Sequence, residues 1–252
     1  EYGIEVYPRL PGRPIEKIHK DLARLVQDRV TDIILKKAAY LRDKTGLENF
    51  CIAGGVGLNC VANGALVREL GLNVYVPPAP GDTGQPLGNA IYGYVKVLKK
   101  KARFTLNNSY LGKKYSRKDI INAIEKYSNE LKDEGSYYKE FERDEDVFKF
   151  AAELLAREFV IGWFWGRSEF GPRALGHRSI IADPRDPKMK DRINLKVKHR
   201  EPFRPFAPSV LEEFVEEWFE PPIKSPFMMH VTYVKEDKRH KIPAVTHVDG
   251  TA

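Results

Sequence analysis

Cysteine is scarce in this sequence and long apolar runs are missing, and each absence excludes a class of protein. Cys51 and Cys60 are the two cysteines among 252 residues. Two thiols make neither a metal framework nor a disulfide scaffold, so we expect them reduced in a cytoplasmic protein, with a single disulfide as the alternative. No apolar stretch approaches the ~20 residues that span a bilayer, and the first residues form no signal peptide. We therefore expect no contact with a membrane.

The sequence also lacks an initiator methionine. It opens at Glu1 with what looks like extended chain from the middle of a domain, Ile4 to Tyr7, and it stops abruptly after Gly250. We therefore interpret it as a fragment of something longer. The hydrophobic content of 42% is normal for a globular protein, and 252 residues allow one large domain or two ordinary ones.

Positive charge, in contrast, is in excess. The formal net charge is +7, and the segment from Trp163 to Arg204 holds eleven lysines and arginines against five acids, which accounts for +6. A basic chain suggests nucleic acid, but the basic residues here lack interleaved exposed aromatics, so nucleic acid is not the expected partner. Charge concentrated among glycines and prolines instead predicts a site for a small polyanion.

Apolar spacing and turn residues divide the chain into two parts. Up to residue 102 strands alternate with helices, which is typical of an α/β fold. Beyond a lysine-rich boundary, residues 103–252 form a second part of α/β or α+β class. Predicted helices cover 15–41, 58–70, 85–98, 116–131, 144–157, 186–197 and a stretch ending at 218, and predicted strands cover 50–53, 73–76, 159–165, 179–182 and 206–211. Ser116 and Asp144 are the predicted N-caps of their helices.

Two loops that precede helices are candidate ligand sites. The turn AGGVGLN at 53–59 follows a strand, and its glycines allow backbone N–H groups to approach a phosphate or a ribose. A tight turn made only for packing explains the same residues equally well. Asp82 lies in the loop PGDTG at 80–84. Three roles are open to a carboxylate there: coordination of a metal, orientation of a hydroxyl, or capping of the next helix. Spacing alone favours the cap.

Arginine is concentrated in the motif GRSEFGPRALGHRS at 166–179. Gly171 and Pro172 break any helix there, so several guanidinium groups can converge from a bent loop, with Glu169 placed to orient one of them. A guanidinium binds phosphate or carboxylate through two parallel hydrogen bonds, which lysine cannot do. The alternative is that these arginines hold an acidic interface. They are Arg167, Arg173 and Arg178.

A second basic segment, NLKVKHREPFRPF, spans 194–206. Lys196, Lys198 and Arg200 alternate, so on an extended segment they share one face. Arg204 lies between an aromatic residue and a proline, which gives it a rigid setting. The histidines of the two motifs receive no predicted role, because a lone histidine is more often structural than catalytic.

Four motifs taken together resemble one family. They are GGVGLN at 54–59, PAPGDTGQ at 78–85, the arginine motif, and KHREPFRPFAP at 198–208. In combination they are similar to those of the O-carbamoyltransferases of the nodulation protein U, cephem and tobramycin carbamoyltransferase family. The resemblance covers essentially the whole chain.

The resemblance implies a fold and a reaction. Members join an actin-like domain of the sugar-kinase type to a YrdC-like α/β domain, so residues 1–102 would be the C-terminal half of the first and 103–252 a truncated form of the second. The YrdC-like domain would make carbamoyl adenylate from carbamoyl phosphate and ATP. The actin-like domain would then transfer the carbamoyl group to the hydroxyl of a small acceptor. The implied cofactors are ATP and Fe²⁺, with Mg²⁺ as a further ion for the nucleotide.

The resemblance also implies roles for individual residues. Three basic residues would be catalytic: Arg173 would hold carbamoyl phosphate, and Lys198 and Arg204 would serve the phosphates of carbamoyl phosphate or ATP. Asp82 would be an iron ligand. The implied cofactor-binding residues, of which the first three would line the carbamoyl adenylate pocket, are Gly54, Gly55, Asn59, Arg167, Arg178 and Arg200.

The sequence departs from the family pattern in two places. The family takes its other iron ligands from an HxxxH helix, which is missing here, and Gly57 replaces the usual alanine. The iron site would therefore be incomplete, and we expect this chain alone to bind nucleotide or carbamoyl phosphate weakly, without turnover. Two alternatives stay open: an enzyme of the same superfamily that acts on tRNA, and a non-catalytic module whose arginines bind an acidic partner.

Overall fold

The computed structural model describes residues 8–133, 135, 136 and 138–252. The extended segment expected at Ile4 to Tyr7 therefore lies outside the described residues. Within the described ranges, none of the helices is both long enough and apolar enough to cross a bilayer. Cys51 is exposed, Cys60 is half-buried, and both are free thiols.

The first part of the chain alternates helices and strands, as predicted. Its elements are α1 (Lys17–Thr45), β1 (Asn49–Cys51), α2 (Cys60–Leu70), β2 (Asn73–Tyr75) and α3 (Gln85–Tyr92), which continues into a π-helical turn at Gly93–Val97. Helices α1 and α2 each end at a glycine with positive φ, Gly46 at 68° and Gly71 at 66°. Glycine adopts this conformation without the steric cost that a Cβ imposes, which is why it stops helices.

Strands β1 and β2 pair in parallel, with Phe50 opposite Val74. A parallel pair requires a crossover connection, and α2 provides it. The core beneath consists of Ala38, Leu66 and Leu72, packed with half-buried apolar side chains of α1 and the strands. The apolar stripe predicted for α1 packs mainly through Ile34, Leu35 and Ala38. Other members of the stripe are exposed: Ile18, Leu25, Val26 and Ile33.

The second part mixes short helices with antiparallel strand pairs. Its elements are α4 (Arg117–Lys126), α5 (Ser128–Asp133), α6 (Asp144–Ala156), β3 (Ile161–Phe164), β4 (Arg178–Ile181), α7 (Met189–Lys196), α8 (Val215–Trp218), β5 (Phe219–Glu220) and β6 (Tyr233–Val234). The pairs are β3 with β4 and β5 with β6. The mixed α/β class is therefore confirmed, whereas the actin-like and YrdC-like assignments and the boundary at 102/103 stay predictions.

Several predicted elements differ from the structure. The strand predicted at 206–211 is wrong, because no ladder forms there; Pro208 removes one of the N–H donors that a strand needs, and Pro205 directly precedes the segment. The helix predicted at 116–131 divides at Tyr127, while the Ser116 cap is confirmed by its bond from the Asp119 N–H. The cap predicted at Asp144 is wrong by one position, since Arg143 occupies the cap and Asp144 is the first helical residue.

The two parts of the chain share a core and several polar contacts. Val76 packs with Phe227 and Met229, and Leu175 lies against the same cluster. The buried Asn63 of α2 donates its amide to the carbonyl of Met229 at 2.9 Å. The loop that carries the arginine motif is therefore fixed against the β1–β2 unit.

Candidate anion-binding site

Three of the predicted motifs meet in space. The N–H of Gly54 donates to the carbonyl of Pro80 at 2.7 Å, which joins the glycine turn to the PGDTG loop. On the other side of that loop, Gly171 of the arginine motif approaches Pro78 so closely that an added Cβ would lie 2.9 Å from the Pro78 carbonyl carbon. The motifs at 54–59, 78–85 and 166–179 thus form one continuous surface.

The arginine motif folds around a buried carboxylate. Glu169 is 4% exposed, and its Oε1 accepts hydrogen bonds from the backbone N–H groups of Leu175 at 2.7 Å and His177 at 2.8 Å. The Nε of Arg178 lies 3.5 Å from its Oε2. Burial alone raises the pKa of Glu169, but the surrounding N–H groups outweigh it, so the pKa lies below its ordinary value. The carboxylate is therefore ionised at neutral pH.

Two glycines let the loop turn sharply around that carboxylate. Gly171 has φ 103° and Gly176 has φ 96°, a region that residues with a Cβ rarely adopt. The carbonyl of Gly171 accepts a hydrogen bond from Nη2 of Arg178, and the N–H of Gly176 donates to Oγ of Ser179 at 2.8 Å. The first of these bonds closes residues 171–178 into a loop, and Arg173 belongs to that loop.

The segment before α4 supports this loop from behind. The N–H of Gly112 donates to Ser168 at 2.9 Å, and Nη1 of Arg167 donates to the Gly112 carbonyl at 2.8 Å. The ring of Tyr110 stacks on His177 with centroids 3.5 Å apart, and its hydroxyl donates to the Leu175 carbonyl at 3.2 Å. Both sides of the loop are thus held by partners more than 50 residues away in sequence.

Arg173 differs from the other arginines of the motif in having no partner. Its side chain is half-buried, its Nε is buried, and no hydrogen bond or ion pair with the rest of the described chain involves its guanidinium group. Arg167 and Arg178, in contrast, donate to backbone carbonyls within the site. Because a buried donor without an acceptor is unfavourable, Arg173 is the group best placed to accept an anion.

The second basic segment is organised around Asn194, which is fully buried. Its amide donates to the carbonyls of Arg204 at 2.8 Å and Pro202 at 3.3 Å, and its oxygen accepts from Nε of Arg200 at 2.7 Å. The extended segment with Lys196, Lys198 and Arg200 on one face is wrong, since Lys196 ends α7 and a turn follows. Helix α7 continues through Lys196, and the hydrogen bonds of Asn194 to Arg200 and Arg204 then hold the following residues in a turn.

The predicted catalytic residues of this segment are both exposed. Arg204 pairs with Glu201 at 2.7 Å, while Lys198 has no ion pair among the described residues. No hydrogen bond or ion pair between described residues links this segment to the arginine loop, so the structure does not join Lys198 and Arg204 to Arg173 by direct contact.

Some polar groups of the glycine turn at 54–59 already bind other parts of the protein. Gly54 has φ 97°, and its N–H is used by Pro80. Asn59 caps α2, since its Oδ1 accepts from the Ala62 N–H at 3.1 Å, and its amide exchanges hydrogen bonds with Gln27 of α1 at 3.1 and 3.2 Å. The packing function is therefore observed for Asn59, and a ligand contact stays a prediction.

Asp82 is exposed in the 3₁₀ turn Asp82–Gly84, just before α3. The cap that spacing favoured is wrong, because Gly81 and Gly84 occupy the cap positions and no side chain caps either helix. Its Oδ1 accepts from Nε2 of Gln85 at 3.3 Å. Elsewhere in the described ranges no group of three or more His, Cys, Asp or Glu residues could hold a metal ion. Asp82 thus provides one carboxylate, which does not fit a complete iron site.

Comparison with protein families identifies the chain. A model of the carbamoyltransferase N-terminus matches residues 9–91, and a model of the carbamoyltransferase C-terminus matches residues 152–252. The chain belongs to the carbamoyltransferase family.

Curated relatives of this carbamoyltransferase-family chain include three rhizobial proteins. It is 44% identical to nodulation protein NolNO of Sinorhizobium fredii, over 99% of this chain and 36% of that protein. It is 41% identical to nodulation protein NolO of Bradyrhizobium diazoefficiens, over 97% of this chain and 44% of that protein. Nodulation protein U of Sinorhizobium fredii is 36% identical, over 99% of this chain and 40% of that protein. The chain therefore spans about two fifths of the length of these relatives.

Two residues of the site went unassigned by sequence reasoning. The sequence gives a weak indication for Asn194, because asparagine is a poor helix former and its position near the end of a predicted helix suggests a specific contact. Gln27 had none, because its partner Asn59 is 32 residues away and only the packing of α1 on α2 brings the two together.

Proposed function

We propose that this chain carries the site that binds and activates carbamoyl phosphate in an ATP-dependent O-carbamoyltransferase. In the proposed reaction, carbamoyl phosphate, ATP and water give carbamoyl adenylate with release of phosphate and pyrophosphate. The carbamoyl group then passes to the hydroxyl of a small acceptor with release of AMP. Because the chain spans about two fifths of its relatives, this is a proposal for the activity of the whole protein.

The observation that carries the proposal is the unpaired guanidinium of Arg173, set in a loop against the PGDTG motif of a carbamoyltransferase-family chain. A guanidinium binds a phosphate in two places at once and keeps its charge at any physiological pH. Adenylation spreads negative charge over the α-phosphate and the leaving pyrophosphate. A cation already in position lowers that barrier without reorganisation.

The other predicted site residues have supporting roles in this proposal. Lys198 is exposed without an ion pair among the described residues, so it can neutralise a phosphate at no structural cost. Arg204 would exchange its carboxylate partner, Glu201, for phosphate oxygens. Arg167, Arg178 and Arg200 already donate to protein groups, and any contact they make with ATP would use their remaining N–H groups.

One residue of this chain is a proposed iron ligand. Asp82 is the side chain of this chain that would hold it, and the metal would supply Lewis-acid chemistry at the acceptor site. Since the residues described here do not complete its coordination, no step is assigned to it.

The test is exchange of labelled pyrophosphate into ATP, dependent on carbamoyl phosphate, in the purified enzyme. We expect exchange in the wild type and a loss of roughly 100-fold or more in Arg173→Ala, the usual cost of removing a charged group that contacts a transition state. Arg143→Ala is the matched control, since Arg143 is an exposed arginine paired with Asp146, and its activity should stay within about twofold of wild type.

Two outcomes would contradict the proposal. Absence of exchange in the wild type removes ATP-dependent activation, and undiminished exchange in Arg173→Ala removes the role of that residue. Tight binding of tRNA with a steep salt dependence would instead favour the RNA-modifying alternative.

A further inference from the structure

The arginine loop holds a buried carboxylate that none of the proposed chemical steps uses. We propose that Glu169 is the positioning residue of the site: it fixes the backbone around Arg173 so that the guanidinium is already placed when carbamoyl phosphate arrives. This inference rests on the proposed function, because it assigns the loop's rigidity to anion binding by Arg173.

The contacts of Glu169 explain how one side chain can set the loop. Its Oε1 holds the N–H groups of Leu175 and His177, which lie two and four residues after Arg173. Its Oε2 faces Arg178 at 3.5 Å, and that guanidinium also donates to the carbonyl of Gly171, two residues before Arg173. One carboxylate therefore ties both ends of the segment that carries the arginine.

The position of Arg173 depends on this backbone because its side chain has no hydrogen bond or ion pair with the described residues that would fix the guanidinium. Its guanidinium makes no hydrogen bond or ion pair with the described residues, whereas its two neighbouring arginines are tied to carbonyls. A side chain held only through its backbone moves with its loop. Displacing a binding group by about 1 Å commonly costs two orders of magnitude in function.

The burial of Glu169 argues that its ionised form is a requirement of this geometry. A carboxylate with no exposed side-chain surface is costly unless several donors satisfy it. Here two backbone N–H groups donate to Oε1, while Oε2 has no hydrogen-bond partner among the described residues and faces the Arg178 guanidinium at 3.5 Å, all within the arginine motif. Were Glu169 only a packing residue, an apolar side chain of the same size would serve with less desolvation.

The experiment compares Glu169→Gln and Glu169→Ala in the intact enzyme, with Glu142→Gln as the control at an exposed glutamate. Glutamine keeps the shape and one acceptor oxygen, but it turns an amide N–H₂ group toward either Arg178 or the loop N–H groups. We expect the KM for carbamoyl phosphate to rise about 10- to 100-fold in Glu169→Gln and further in Glu169→Ala. The KM for ATP of Glu169→Gln should change little.

A double-mutant cycle separates positioning from general stability. If Glu169 acts through Arg173, the effect of Glu169→Gln on carbamoyl phosphate binding disappears once Arg173 is alanine. Equal effects of Glu169→Gln in both backgrounds would overturn the proposal. So would an equal rise of both KM values, because that pattern indicates a general loss of structure.

Hydrogen exchange keeps this test independent of the proposed function. The amides of Leu175 and His177 should lose protection in Glu169→Ala, and in Glu169→Gln if alanine does not fold, while the amides of α2 keep theirs. If the wild type does not bind carbamoyl phosphate, the proposed function fails, and loss of protection at these two amides still supports Glu169 as the anchor of the loop. Unchanged protection would contradict it.

Discussion

Gly171→Ala tests whether the contact between the arginine loop and the PGDTG loop holds the site together. Gly171 has φ 103°, and a Cβ there would lie 2.9 Å from the carbonyl carbon of Pro78 and closer still to its oxygen. Both obstacles are backbone, so no side-chain rotation can relieve them. One loop must therefore move away from the other.

The expected loss of stability in Gly171→Ala has two parts. A non-glycine residue at such a φ costs roughly 1–3 kcal/mol, and forcing a methyl group into a closed contact costs roughly 1–3 kcal/mol more. The expected loss in the free energy of unfolding is therefore about 2–6 kcal/mol, a large share of the stability of an ordinary domain. Carbamoyl phosphate binding should weaken as well, since Arg173 lies two residues away.

The same loop offers a matched control. Gly176 has φ 96°, but no atom of the described residues lies within 4 Å of a Cβ built there. Gly176→Ala thus introduces the backbone strain of a positive φ but no close approach like that of Gly171 to Pro78. Urea unfolding of both variants, followed by tryptophan fluorescence, should show Gly171→Ala less stable by roughly 1–3 kcal/mol, the contact part alone.

Equal losses in Gly171→Ala and Gly176→Ala would refute the reasoning, since the contact with Pro78 would then contribute nothing. A loss of carbamoyl phosphate affinity in Gly176→Ala alone would also refute it, because strain within the loop rather than its junction would then control the site.

Two further predictions concern the second basic segment and acid stability. Asn194→Ala should cost roughly 2–4 kcal/mol in urea unfolding, since it removes the hydrogen bonds that a fully buried side chain makes to three partners. Asn73→Ala, at an exposed position, should change stability by less than about 0.5 kcal/mol; similar losses in both would contradict the assigned contacts. Burial lowers the pKa of His230 and of His247, so the unfolded chain takes up protons first as the pH falls below about 6.5. The urea midpoint should therefore be constant above pH 7, fall between pH 6.5 and the lower folded pKa values, and fall less when both histidines are replaced by asparagine; a midpoint that rises on acidification would refute this.

The helices of the first part could be predicted because the signals are local. Apolar spacing marks α1, and Gly71 ends α2 as expected, whereas α1 continues past its predicted end at 41 to Thr45, where Gly46 stops it by adopting positive φ. Predictions were wrong where two local signals disagreed. The strand expected at 206–211 does not form although Phe206 still packs inward, because burial of an aromatic side chain does not require a strand ladder.

The sequence by itself determined the family. Motifs of fixed spacing, including the arginine motif at 166–179, indicated it, and the matches to the carbamoyltransferase family models confirm it, while the roles of the motif residues stay predictions. Spacing also showed that Gly171 and Pro172 prevent a helix there, so the arginines had to lie in a loop.

Only the tertiary structure decided which arginine is available. Spacing alone does not distinguish Arg167, Arg173 and Arg178, and the family resemblance gave each of them an anion to bind. In the structure, backbone carbonyls hold Arg167 and Arg178, whereas the Arg173 guanidinium has no hydrogen bond or ion pair with the described residues. The carbonyl that takes Arg167 belongs to Gly112, 55 residues earlier, and the loop itself is fixed by Pro78 and by the buried Glu169. Hydrogen-bond partners in an irregular loop follow no repeating pattern, because contacts between distant parts of the chain determine them.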